Sequence, residues 1–226
     1  MIHEFASRAE LAAALADAVA AALSARLRTQ DTVWLAVSGG STPQNFFAEL
    51  SRRPLDWRRV TVTPVDERWV PEEHPRSNAA LIRRLLLRET AAASRFVPFY
   101  DGARTPEAGR DALEARLASL PLPLAAAVLG MGEDGHTASF FPGGDRLAAA
   151  LRPPPGRLVE TMRAAGAGEP RMTLTLPVLA AAGFLALHIE GEAKRQVLRR
   201  AAAPGPDEEM PVRALLRHDP HIFWSP

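Results

Sequence analysis

The chain contains no cysteine, which excludes disulfides, a thiolate nucleophile and any cysteine-ligated metal, and fits a reducing compartment. Net charge is almost absent: 27 Lys plus Arg stand against 26 Asp plus Glu, a formal +1. No bulk field therefore favours nucleic acid or an anionic membrane, and a bound anion must be held by a local group of residues. The N-terminal residues lack a basic region followed by an apolar core, and the alanine-rich stretch after them is broken by Asp17 and Arg26, so neither a signal peptide nor a membrane span is expected. The cytoplasm is the expected location. The P-loop pattern, the dinucleotide fingerprint and the Gly-x-Ser-x-Gly elbow are all missing, which argues against a nucleoside triphosphate site, a NAD site and a serine triad. No two histidines have zinc-binding helical spacing. Internal repeats and linkers are missing too, and 226 residues that are 47% hydrophobic suffice for one domain over residues 1–226.

What the chain does have is alternation. Ser7 is placed to cap a helix with Glu10 three residues on, and Leu11, Leu15, Val19 and Leu23 fall on one stripe. Val33 to Val37 is a short apolar run of the kind covered on both faces, stopped by Ser38-Gly39-Gly40. Thr42 then suits an N-cap, with Pro43 at the first helical position. The unit recurs with Val60 to Val65, which leads as a central strand into Asp66-Glu67-Arg68-Trp69, a Pro-rich loop and a helix from about Asn78 to Arg88. Arg95 to Phe99 reads as a third strand, at an edge because of Pro98. Thr105 caps the next helix, and Ala125 to Leu129 forms a further buried run. Residues 152–170 read as Pro- and Gly-rich loops around a strand at Leu158-Val159, and Arg171 to Leu176 alternates apolar with polar. Phe184 to Ile189 is another strand, closed by Gly191-Glu192-Ala193-Lys194 at a helix start, and His221 to Trp224 reads as a terminal edge strand. The expected fold is α/β: a mostly parallel, doubly wound, Rossmann-like sheet with helices on both faces.

The chemistry concentrates where strands end. Residues 130 to 143 put His136 on a glycine-hinged loop directly after a buried strand. An imidazole, with an unperturbed pKa of about 6.5, is a neutral base that can return its proton as an acid. Asp134 beside it is placed to orient it or to raise its pKa. The other histidines have no such setting, and His188, inside a strand, reads as filler of a core face. Ser38-Gly39-Gly40-Ser41-Thr42 can offer N–H groups and hydroxyls to an anion at a helix start, although for Gly-Gly alone a tight turn that needs small residues is the plainer reading. Lys194 is a cation early in a helix, where the helix dipole disfavours it, and Arg171 opens its segment. Each alone reads as a solvated charge, but together with the Ser-Gly-Gly turn they can neutralise a phosphate dianion. Asp66, Glu67 and Arg68 at a strand end are costly to bury unless they reach a cleft. Spacing alone leaves cleft and surface equally open.

Taken in series, Val37-Ser38-Gly39-Gly40-Ser41-Thr42-Pro43, Asp66-Glu67-Arg68 with His74-Pro75 and Ser77-Asn78, Gly130 to Gly143, Arg171 to Pro177 and Gly191 to Lys194 resemble the 6-phosphogluconolactonases, which are related in fold to glucosamine-6-phosphate deaminase. The resemblance implies hydrolysis of 6-phosphoglucono-δ-lactone to 6-phosphogluconate in the oxidative pentose phosphate pathway, without a required cofactor. It gives His136 the role of activating water and Arg68 that of holding substrate or the developing oxyanion. Asp66 and Asp134 would fix these two, while Ser38 to Thr42, Arg171 and Lys194 would grip the phosphate. The implied partner is a small sugar-phosphate lactone, with no nucleic acid and no membrane. Oligomeric state is not readable from one chain, and a monomer is left open.

Two other readings stand beside it. A sugar-phosphate deaminase or isomerase on the same fold matches less well, since Arg68 stands where that pattern has an aromatic residue and Thr137-Ala138-Ser139-Phe140-Phe141 replaces its Ile-Ala-Phe-Asn-Glu run. A non-catalytic sugar-phosphate sensor would have little use for His136, and such domains usually come attached to a DNA-binding helix-turn-helix, for which neither extra length nor a basic recognition segment is read here.

Overall fold

The computed structural model describes residues 1–226. In chain order the first half forms β1 (Ile2–Glu4), α1 (Arg8–Leu27), β2 (Val33–Val37), α2 (Gln44–Leu50), β3 (Val60–Pro64), β4 (Asp66–Arg68), α3 (Asn78–Leu85), β5 (Arg95–Phe96), α4 (Pro106–Ala118) and β6 (Ala126–Leu129). The second half forms α5 (Leu147–Leu151), β7 (Val159–Met162), β8 (Arg171–Leu174), α6 (Leu176–Ala180), β9 (Leu185–Glu190), α7 (Glu192–Ala202), α8 (Val212–Leu216) and β10 (His221–Ser225). No helix is long and apolar enough to cross a membrane.

Seven strands make one sheet in the order β1-β10-β9-β6-β2-β3-β5, and every pairing in it is parallel. The continuous apolar runs of β2 and β6 and the valine–threonine alternation of β3 are buried throughout, as a parallel sheet covered on both faces requires. One face packs α1, α2 and α3 through Leu11, Leu15, Val19, Leu23, Phe46, Phe47 and Ile82. The other face packs helices α4 to α8 and a second sheet, through residues such as Leu113, Leu117, Leu147, Leu179 and Leu215. Ser7 caps α1 by accepting from Glu10 N, and Thr105 caps α4 by accepting from Ala108 N.

From β2 the chain winds one way through β3 to β5 and the other way through β6 and β9 to β10. Strand order therefore reverses between β2 and β6, the topological switch point at which ligands of open α/β sheets bind. The turns after β2 and β6 are joined there, since Ser38 N donates to Val128 O at 2.9 Å and Gly130 N donates to Ser38 Oγ at 3.1 Å.

Several expectations need correction. β10 is an interior strand lying between β1 and β9, because the short and half-exposed β1 covers what would otherwise be an edge. β3 is not central but second from the sheet edge, with only β5 beyond it. Pro43, with φ −78° and ψ 2°, takes the cap position of α2 without a side-chain bond, so the helix begins one residue later than expected and Thr42 is free to line a cavity. The helix at Asn78 ends at Leu85, and a 3-10 turn over Glu89–Ala93 follows. Asp66 to Arg68 is itself a strand of a three-stranded antiparallel sheet, β4-β8-β7. That second sheet buries β8 completely, although its sequence alternates as a half-exposed strand would.

Candidate active site

β4 and β8 pair with Asp66 opposite Thr173 and Arg68 opposite Arg171. Side chains directly opposite share a face of the sheet, and so do residues two apart in a strand. Asp66, Arg68, Arg171 and Thr173 are thereby gathered on one side, and Glu67 is turned to the other. Two guanidinium groups directly opposite one another repel, and Asp66 offsets this with its Oδ2 3.6 Å from Arg171 Nη1. Ser139 fixes the same carboxylate by donating from Oγ at 2.5 Å. Arg171 is buried and donates to Ala167 O at 2.5 Å and to Glu169 O at 3.3 Å. Burial pulls its guanidinium below the ordinary arginine pKa against the opposing pull of Asp66. Arg68 donates from Nη1 to Arg76 O at 2.5 Å, and its buried Nε has no partner.

Glu67 is fully buried and accepts from Arg68 N at 2.8 Å, Asn78 N at 2.8 Å and Ala79 N at 2.7 Å. Its carboxyl ties the first turn of α3 to β4. Burial lifts its pKa to about 7 against the downward pull of those three N–H groups, with nearby Asp66 adding to the rise. Asn78, at the start of the same helix, donates to Asp66 O at 2.8 Å and lies so close to Gly39 that any Cβ there would overlap its amide. The glycine of the Ser-Gly-Gly turn is thus set by packing against α3.

The loop after β6 holds His136. Gly132 N donates to His136 O at 2.8 Å, and Val212 N on α8 donates to Gly135 O at 2.9 Å, closing and anchoring the loop. Asp134 Oδ1 lies 2.6 Å from His136 Nδ1 and also accepts from His136 N at 3.0 Å. Burial would raise the Asp134 pKa, but the side-chain and backbone bonds from His136 outweigh it, so the carboxyl sits below its ordinary value. A carboxylate can only accept, so Nδ1 carries the hydrogen and Nε2 keeps its lone pair. The ring stacks on Phe141 with centroids 4.3 Å apart, and the Arg171 guanidinium lies 5.2 Å from the centre of that same phenyl ring.

A cavity of about 370 Å³ opens at the switch point, within the range of small-molecule sites. Its wall includes Ser38, Gly39, Gly40, Ser41, Thr42, Asp66, Arg68, His136, Arg171 and Lys194. Of the residues singled out from sequence, Asp134, which holds the imidazole, and Glu67, turned toward α3, lie off that wall. Sequence reasoning gave no role to Asn78, quoted only within a motif, and none to Phe46 or Met131, which also line it, nor to Phe141 beneath the imidazole. His188, read from sequence as filler, is buried as that reading requires and also reaches the cavity. Asn78 alone carried a signal, its place after Ser77 at a helix start. No group of three or more His, Cys, Asp or Glu side chains is arranged to hold a metal ion.

Fold and site together define a doubly wound α/β protein whose switch point pairs an oriented imidazole with fixed cations and a small-residue turn. Comparison with known proteins narrows the class. The model of the family of glucosamine-6-phosphate isomerases/6-phosphogluconolactonase matches residues 6–224. A 6-phosphogluconolactonase of Rhizobium meliloti is 54% identical over 228 residues, covering 100% of this chain and 98% of that protein. One of Pseudomonas aeruginosa is 46% identical, covering 97% and 92%. The crystal structure of a 6-phosphogluconolactonase from Shewanella baltica superposes with a TM-score of 0.96 at 35% identity, covering 100% of this chain and 97% of that one. The chain belongs to the glucosamine-6-phosphate isomerase/6-phosphogluconolactonase family.

Proposed function

We propose that this chain hydrolyses 6-phosphoglucono-δ-lactone to 6-phosphogluconate, with His136 as the general base. The observation that carries the mechanism is the 2.6 Å contact between His136 Nδ1 and Asp134 on a ring whose other nitrogen is uncommitted at the wall of the cavity. His136 Nε2 takes a proton from water as the water oxygen attacks the lactone carbonyl. The carbonyl electron pair moves onto oxygen, where the Arg68 guanidinium, with its unpartnered Nε, supplies the stabilising charge. Collapse of the tetrahedral adduct breaks the bond to the ring oxygen, which receives the proton from Nε2, and the acid product then ionises. A lactone is an activated ester, so a base worth about 10²–10⁴-fold and an oxyanion partner suffice.

The phosphate is assigned to the Ser38–Thr42 turn, Lys194 and Arg171. Lys194, the third residue of α7, is a cation where the helix dipole disfavours one, and a bound dianion offsets that cost. Binding the phosphate end aligns the ring before reaction. The same reading makes residues 1–226 one functional domain, working in the cytoplasm with a small sugar-phosphate lactone as its partner.

A coupled assay on freshly generated 6-phosphogluconolactone beside glucosamine 6-phosphate separates the readings. Lactone turnover well above spontaneous hydrolysis, with no ammonia released from glucosamine 6-phosphate, is expected. Faster ammonia release would favour a deaminase, and binding without either turnover a sensor.

A further inference from the structure

Glu67 takes no part in the reaction as written, yet its buried carboxyl is held by donors on both oxygens. Oε1 accepts from Arg68 N and Asn78 N, each at 2.8 Å, and Oε2 accepts from Ala79 N at 2.7 Å and from Ser77 Oγ at 3.4 Å. A carboxylate satisfies all of them. A protonated carboxyl does not, because its hydrogen confronts an N–H unless it turns to Ser77 Oγ, which already accepts from Ala80 N at 3.2 Å. The groups that Glu67 holds also shape the cavity. Asn78 donates from its amide to Asp66 O at 2.8 Å and fills the space where a Cβ on Gly39 would stand, while Arg68 carries its guanidinium to the wall. Gly39, Asp66, Arg68 and Asn78 all line the cavity, so Glu67 can act on the reaction only through them.

We infer that Glu67 is a positioning residue, whose ionised carboxylate sets Asn78 against the Ser38–Thr42 turn and fixes the backbone of Arg68, so that one buried proton, when taken up, loosens both. Burial pushes its pKa up to about 7, and Asp66 is the charged neighbour that adds to the rise. The first turn of α3 meets it with N–H groups and the Ser77 hydroxyl, and Met172 stands opposite it on β8. The ionised form is therefore lost as pH falls through neutrality. This rests on the lactonase reading of the cavity, in which His136 must also be unprotonated.

The test is the pH profile of kcat/KM for 6-phosphoglucono-δ-lactone, corrected for spontaneous hydrolysis, in the parent and in Glu67→Gln, whose carboxamide is a permanently neutral stand-in for the protonated carboxyl. The parent is expected to lose activity toward acid pH with the uptake of two protons, one at His136 and one at Glu67. The Gln variant is expected to show the one-proton fall of His136 alone, from a plateau lowered about tenfold. A carboxylate with only a structural role would lower the thermal midpoint and leave the shape of the profile intact. A one-proton fall in the parent, or a two-proton fall in the Gln variant, would overturn the assignment. Should the Gln variant not fold, Asn78→Ala keeps the backbone N–H bound to Glu67 and removes the amide that reaches Gly39. It is expected to keep the two-proton fall and to raise KM about tenfold for the phosphorylated lactone but not for glucono-δ-lactone, which lacks the phosphate; a parental KM, or an equal rise for both, counts against the assignment. Absence of lactone turnover in the parent would instead sink the underlying reading, whatever the variants do.

Discussion

An imidazole serves as a base at neutral pH when one nitrogen is committed and the other is free, and in this chain commitment comes from a neighbour two residues away. Asp134 takes both the ring Nδ1 and the backbone N–H of His136, so ring and loop are fixed by one carboxylate. Space for that arrangement is left by Gly132: a Cβ there would overlap His136 Nδ1 and Asp134 Oδ1. Gly132→Ala is therefore expected to lower kcat on the order of 10²-fold through misplacement of the ring, while the thermal midpoint stays close to that of the parent. A variant with parental kcat would show that the Asp134–His136 contact is dispensable. The same residues show what sequence can reveal. That His136 would reach a cavity was legible, because it sits on a glycine-hinged loop directly after a buried run. His188 was not, since a histidine within an apolar run looks the same whether it fills a core or faces a cavity.

At the scale of elements, the strands rich in apolar or β-branched residues and followed by clear turn residues, β2, β3, β6 and β9, were legible, and they lead at their C-terminal ends into most of the cavity wall. β1 was not, because three half-exposed residues carry no periodicity and gain their place only by pairing with β10 from the far end of the chain. The small antiparallel sheet was hidden for a related reason. Asp66-Glu67-Arg68 has a poor strand composition, and it becomes a strand by pairing with β8, which places Arg171 across from Arg68. Attachment of that sheet to the helices on its side involves α4, whose Glu107 is bound by Arg163 just after β7, with one contact at 3.0 Å. The Arg163 hydrogen bonds lower the Glu107 pKa from 4.5 to about 2 against a small opposing effect of burial. A carboxyl lowered by folding contributes stability above its unfolded value and loses it as pH falls. The window runs from 4.5 down to about 2, and solvent screening limits the pair to about 1 kcal/mol. The thermal midpoint of the parent should accordingly fall more steeply across that window than that of Glu107→Gln. Parallel curves would remove the pair from the account.

For the molecule as a whole, charge is nearly balanced at +1, so affinity for an anionic substrate has to come from local placement. The fold brings Arg68 of β4, Arg171 of β8 and Lys194 of α7 to the wall of the cavity at the switch point between β2 and β6, and in the proposed reading these supply it. Truncating Lys194 to alanine should raise KM for the phosphorylated lactone about tenfold or more and leave glucono-δ-lactone unaffected, because a charge-assisted bond is lost only where a phosphate is present. An equal rise for both substrates would remove Lys194 from the phosphate site. The most direct test of the central claim is turnover of freshly generated 6-phosphogluconolactone by His136→Ala, corrected for spontaneous hydrolysis, with binding of 6-phosphogluconate measured on the same sample. The account predicts a loss in kcat of about 10²–10⁴-fold with binding of the product within a few-fold of the parent; a variant that hydrolyses the lactone at the parental rate would contradict it.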